Sequence, residues 1–138
     1  MCSSDLDRGA VPYLDQAMRA DTKRQDLWFL RALAAERLQD SALAIHSFEE
    51  ALALGGLHIA ESTSLVRLYL ASQQDGKAQE LARRVIANFP PEPAFRAQFA
   101  QSLDSLHQAG EALTAWKRVL EVQPDSPQAH GRVARLLF

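Results

Sequence analysis

The chain repeats itself, with a period of about 34 residues. Ala10, Ala44, Ala78 and Ala112 fall in one column, and Leu14, Phe48, Ala82 and Trp116 in a second, bulkier one. Ala17, Ala51, Val85 and Val119 form a third, followed by Met18, Leu52, Ile86 and Leu120. Ahead of these stand Ala32, Val66, Ala100 and Ala134, then Ala35, Tyr69, Leu103 and Leu137. The helix-breaking positions Gly56, Pro90 and Pro124 keep the same beat. A fixed period of this length means that each unit is a small supersecondary element unable to bury its apolar face alone. Neighbouring units must therefore stack.

Within each repeat the apolar residues recur at three and four positions, as on one helix face: Ala44, Phe48, Ala51 and Leu52, then Ala112, Trp116, Val119 and Leu120. The spacing of the breakers predicts two helices of about fourteen residues per repeat. Glycine and proline cluster between long stretches of Ala, Leu, Arg, Gln and Glu, and no segment alternates β-branched residues with period two, so the chain is predicted to be all-α. The stretch AWKRVLEVQPDSPQAH, residues 115–130, is a joint: Pro124 stops one helix, Ser126 caps the next, and Pro127 opens it. Pro90 and Pro93 mark the equivalent joint one repeat earlier, with Glu92 as a poorer cap than serine.

Composition excludes several functions. The 15 Lys and Arg are scattered among 17 Asp and Glu, for a net charge of −2, which gives no basic face for nucleic acid. No run of 18 apolar residues exists to insert into a membrane. Cys2 is the only cysteine, so no disulfide framework or thiolate metal site is expected. None of His46, His58, His107 and His130 has another histidine or a cysteine at ligand spacing. No nucleophile elbow and no glycine-rich phosphate loop occurs. No cofactor, metal or catalytic residue is expected, and the compartment is left open.

A helix–turn–helix unit of this length with these columns resembles the tetratricopeptide repeat (TPR). Residues 25–58 carry Trp28, Ala32, Ala44, Phe48 and Ala51; residues 59–92 carry Leu65, Tyr69, Ala78 and Pro90; residues 93–126 carry Phe99, Ala100, Ala112, Trp116 and Pro124. Residues 10–24 and 127–138 each look like half a repeat. Arg31 stands where leucine is usual in the family, and Gly56 where proline is usual. The resemblance implies a right-handed superhelical solenoid of antiparallel helix pairs, with the first helix of each pair lining a concave groove. By column, that groove would include Phe29, Leu33, Glu36, Arg37, Thr63, Arg67, Leu70, Ala97, Gln101, Asp104 and Arg135. An exposed Phe29–Leu33 pair would dock an apolar side chain or an amphipathic helix; the equal alternative is that both are covered by the first helix of the preceding repeat. Chaperone-binding members clamp a terminal carboxylate with charged residues. The clamp positions here hold Phe29, Leu33, Ser64, Ala94 and Gln98, which disfavours that partner.

The expected function is a non-catalytic scaffold that binds a protein or peptide in the groove. The alternatives are a structural spacer in a larger bacterial envelope assembly (exopolysaccharide export, pilus or outer-membrane biogenesis), or a regulatory array fused to an enzyme. Val133, Leu136, Leu137 and Phe138 leave an apolar face without a partner helix, so the chain is expected to be an internal piece of a longer array. Self-association through the uncapped terminal helices is a second consequence of such ends. The head, residues 1–9, fits no column and is expected to be disordered or artefactual, with order beginning near Ala10. MCSSDL resembles translated adapter sequence; the rival reading makes Cys2 the lipid-bearing residue of a lipoprotein.

Overall fold

The computed structural model describes residues 3–55 and 58–138, and among these it contains eight α-helices and no strand. They are α1 (Ser3–Ala20), α2 (Gln25–Arg37), α3 (Ser41–Leu54), α4 (Ile59–Ala71), α5 (Asp75–Ala87), α6 (Pro93–Ser105), α7 (Ala109–Val122) and α8 (Pro127–Leu137). The first helices α2, α4, α6 and α8 begin at Gln25, Ile59, Pro93 and Pro127, and the second helices α3, α5 and α7 at Ser41, Asp75 and Ala109. Both series advance by the same interval at every step, the period of the sequence columns. Cys2 and Gly56 lie outside the described residues. One expectation is corrected: α1 begins at Ser3 rather than near Ala10, and Pro12 sits inside it. Pro12 removes one hydrogen bond from the helix without ending it.

The chain divides into two compact units, the first ending at Glu61 and the second beginning at Ser62. In the first unit α2 packs against both α1 and α3. Its core is Leu14 and Met18 of α1, Ala32 and Ala35 of α2, and Ala44, Phe48, Ala51 and Leu52 of α3. In the second unit α7 packs against α5, α6 and α8. Trp116 is fully buried there, with Phe99, Ala100 and Leu103 from α6 and Val85 and Ile86 from α5. Where a helix pair meets within each unit the small columns are closed: Ala32 and Ala44, then Ala100 and Ala112, have no solvent contact.

Each helix pair turns by the same device, to which the hydrophobic pattern gave no clue. After α2, the Asp40 N–H donates to the Ala35 carbonyl at 2.9 Å and the Gln39 N–H to that of Glu36 at 2.9 Å. Gln74 and Gln73 repeat this on Tyr69 and Leu70, at 2.7 and 3.1 Å. Gln108 and His107 repeat it on Leu103 and Asp104, both at 3.0 Å. This double closure is the Schellman motif, which pairs carbonyls that the helix end would leave open. It needs a left-handed residue, here Gln39, Gln73 and His107, with φ of 58°, 59° and 60°. None is glycine, so each turn holds a side chain in a conformation that disfavours one.

Caps set the helix starts. Ser126 is extended (φ −64°, ψ 111°), and its Oγ accepts from the Ala129 N–H at 3.1 Å, with Pro127 in the first turn. Asp40 caps α3 by accepting from the Leu43 N–H at 3.2 Å. Glu92 has nearly the backbone of Ser126 (φ −69°, ψ 120°) but makes no side-chain cap. Gly55, after α3, marks a close approach: a Cβ there would lie 2.6 Å from the Gln25 Oε1. Any larger residue would have to displace that amide, which donates to the Ala51 carbonyl at 2.9 Å.

Two stability changes are expected. Glu92→Ser should stabilise the fold by about 1 kcal/mol, because the backbone already holds cap geometry. His107→Gly should raise stability by about 0.5–1 kcal/mol through relief of the left-handed residue. Urea and thermal unfolding measure both; a loss of stability in either would contradict the local geometry assigned.

Candidate interaction surface

The joints between repeats are fastened from one column. The Trp28 indole N–H donates to the Thr22 carbonyl at 2.9 Å. Arg96, in the same column two repeats on, donates from Nε to the Pro90 carbonyl at 2.6 Å. His130, in the next, places Nε2 2.7 Å from the Pro124 carbonyl, and since a carbonyl only accepts, that nitrogen carries the proton. In each case a nitrogen donor reaches back six residues to the joint. Ser62 occupies this column in the second repeat; it is buried, and its Oγ has no hydrogen-bond partner.

Arginines complete the polar framework. Arg31, at the position where the TPR pattern favours leucine, is half-buried between three helices. It meets Asp15 Oδ1 of α1 at 2.6 Å and donates to Ser47 Oγ of α3 at 2.7 Å, with its guanidinium 5.6 Å from the Trp28 ring centroid. Arg96 is 6% exposed and also donates to the Arg118 carbonyl at 2.7 Å. Arg118 donates to the Ile86 carbonyl at 3.0 Å and to Glu121 at 2.8 Å. Both guanidiniums lie near the Phe89 ring, at 5.7 and 6.0 Å.

The residues expected to line a groove differ in their surroundings. In the first unit, Phe29 is half-buried, its ring centroid 6.4 Å from that of Phe48 and 5.2 Å from that of His58. The expected exposed Phe29–Leu33 pair is thus half absorbed by aromatic packing. Leu33 is 45% exposed, but its open apolar neighbours are Leu30 at 50% and Tyr13 at 71%. These three, with Ala10, Leu14, Ala34 and Arg37, line a cavity of about 300 Å³ between α1 and α2. Glu36 is half-buried and Arg37 exposed. Tyr13 and Leu30 carry no repeat-column signal, so sequence reasoning passed over them.

In the second unit, α4 presents Arg67 exposed, with Thr63 and Leu70 half-buried. On α6, Gln101 is exposed and Ala97 half-buried; on α8, Arg135 is exposed. Asp104 has structural work: its Oδ2 accepts the Trp116 indole N–H at 3.0 Å and lies 3.6 Å from Arg132. A second cavity, of about 460 Å³, lies between the second helices α5 and α7. Arg83 and Glu111 in its wall pair at 3.4 Å.

At the start of α2, a hydrogen bond from Arg24 holds the Asp26 carboxyl below the usual carboxylate range and raises the Arg24 guanidinium in turn. Among the described residues no cluster of three or more His, Cys, Asp or Glu could hold a metal ion. No described helix is long and apolar enough to cross a membrane.

No protein-family model and no curated protein matches the chain. Solved structures do. YrrB, a TPR protein with an unusual peptide-binding site, aligns over 97% of this chain and 69% of its own at 19% identity, with a TM-score of 0.61. MamA aligns over 97% of this chain and 73% of its own at 14% identity, with a TM-score of 0.63. The Arabidopsis OM64 TPR domain aligns over 81% of this chain and 93% of its own at 15% identity, with a TM-score of 0.50. At these identities the likeness establishes the fold: an all-α helical repeat.

The joint chemistry makes a sharp prediction. Arg96→Ala leaves the Pro90 and Arg118 carbonyls unpaired in a buried setting and should destabilise the chain by about 2–4 kcal/mol. Denaturant unfolding measures it; a cost near that of an exposed arginine would show that the joint does not depend on this side chain.

Proposed function

We propose that this chain, an all-α repeat with the tetratricopeptide fold, is a non-catalytic module that holds a partner protein or peptide on its first helices. One observation carries the reading. Arg67, Gln101 and Arg135 occupy one column of the repeat on the first helices α4, α6 and α8 within the second unit, and all three are exposed. The buried stripe of α6 points elsewhere: Phe99, Ala100 and Leu103 are closed into the core. A column kept open to solvent on successive first helices, while its neighbours are buried, is what a recognition face requires.

Its composition suits a polypeptide. Arg67 and Arg135 offer charge-assisted hydrogen bonds, and Gln101 can both donate and accept toward a peptide backbone. Thr63, Leu70 and Ala97 would border that face, and Asp104 would support it from behind through Trp116. In the first unit, taken by itself, Leu33 offers an apolar contact beside Leu30, bordered by Glu36 and Arg37 and backed by Phe29 through Phe48. YrrB, described as having a peptide-binding site, supports the general class of ligand.

The test is selection of peptides from a displayed library on the whole chain, followed by affinity measurement on an Arg67→Ala/Gln101→Ala/Arg135→Ala variant. All three side chains are exposed, so the variant should unfold like the parent. Selected peptides are expected to bind the variant at least about tenfold more weakly, a loss of about 1.4 kcal/mol. Peptides that bind parent and variant equally would refute the assignment of this face.

A further inference from the structure

Inside the second unit, the second helices α5 and α7 pack together and leave between them the cavity of about 460 Å³. One face of each helix walls it: Arg83, Ile86 and Ala87 on α5, and Gly110, Glu111 and Arg118 on α7. Its polar groups are short of partners. The Glu111 side chain is only 12% exposed, yet among the described residues its carboxylate accepts no hydrogen bond and meets only Arg83, at 3.4 Å. Arg83, 70% exposed, donates no hydrogen bond at all among those residues. Arg118 commits Nε to Glu121 and Nη1 to the Ile86 carbonyl, which leaves Nη2 unspent. A covered carboxylate is costly without hydrogen-bond donors, so this wall is complete only when something supplies them.

We propose that this cavity holds an acidic residue of a partner polypeptide, an aspartate or glutamate together with its own backbone amide. The carboxylate completes Arg118 Nη2 and Arg83, the amide N–H donates to Glu111, and the next side chain lies on Ile86 and Ala87. Charge selects among anions. Two guanidiniums attract a carboxylate, whereas Glu111 repels the second charge of a phosphate and needs a donor that phosphate lacks. A peptide presents a carboxylate beside an N–H at every acidic residue. The volume is that of a pocket for a group of this size.

The cavity shares no residue with the first-helix column proposed above, so either assignment can fail while the other stands. Gly110 allows the cavity to be closed without touching its charges. Nothing lies within 4 Å of a Cβ built there, and its φ is not left-handed. Gly110→Leu therefore fills the space between Arg83 and Arg118, and leucine is the better helix former.

The experiment is a titration of the whole chain, followed by its backbone amide NMR signals, with the blocked peptide acetyl-Ala-Glu-Leu-Ala-amide. Saturable shifts are expected at Ala87, Gly110 and Glu111, with a Kd of about 1 mM or below. The same peptide with glutamine for glutamate, or with the glutamate amide N-methylated, should bind at least about tenfold more weakly. Gly110→Leu and Arg83→Glu should each weaken binding as much, and helix content by circular dichroism should not change; if Gly110→Leu unfolds, Arg83→Glu carries the test. The Arg67→Ala/Gln101→Ala/Arg135→Ala variant should bind this peptide as the parent does, which separates the cavity from the first-helix face. Inorganic phosphate should leave the three amides unmoved. The inference is overturned by an absence of shifts there up to about 10 mM peptide, by equal binding of either altered peptide or by either cavity variant, or by phosphate moving the same amides as strongly.

Discussion

Paired helices lie against each other here because alanine stands where they meet. Ala32 and Ala44 in the first unit, and Ala100 and Ala112 in the second, are completely closed from solvent. A larger residue at any of them would force the helices apart, and tightly packed interiors tolerate such insertion poorly. Close approach at the alanines leaves a defined space beside them, which Phe48 fills in one unit and Trp116 in the other. The large side chains are thus held by the small ones. The outward face of each first helix then has no part in the core and can carry polar chemistry.

Stacked helix pairs leave backbone carbonyls open at every turn and joint, and two devices close them. Turns within pairs use the same double hydrogen bond three times, at the cost of a left-handed residue each time. Joints between repeats use a nitrogen donor from Trp28, Arg96 or His130. The joint device is indifferent to the donor's chemistry, since indole, guanidinium and imidazole all reach the same carbonyl six residues back. Length and an N–H are what the position selects. Ser62 has neither, and its buried hydroxyl without a partner marks the departure.

The parts of this fold that were legible in the sequence are those written in size and in helix breaking. The alanine columns, the Trp116 core position and the Ser126–Pro127 start follow from residue volume or backbone chemistry, which recur visibly from one repeat to the next. The left-handed turn residues were not legible, because Gln39, Gln73 and His107 lack the glycine that advertises such a backbone. Trp28, Arg96 and His130 share neither volume nor hydropathy, so no pattern of either kind groups them. Arg31 looked like a defect against the family pattern until Asp15 and Ser47 were found around it. At the surface, Leu33 was legible as an open apolar residue, whereas Phe29 was not legible as a packed one. Its aromatic neighbours Phe48 and His58 come from outside its own helix, beyond the reach of helix periodicity.

The placement of the two tryptophans gives the molecule a built-in pair of optical probes. Trp28 belongs to the first unit, half-buried with its ring nearly perpendicular to that of His46, and Trp116 belongs to the second, wholly shielded and hydrogen-bonded to Asp104. Shielded indoles emit toward the blue and wetted ones toward the red. Phenylalanine at one site leaves emission from the other unit alone, so each half of the chain can be followed by its own colour, and Trp116, through Asp104, watches a first-helix surface from inside the core.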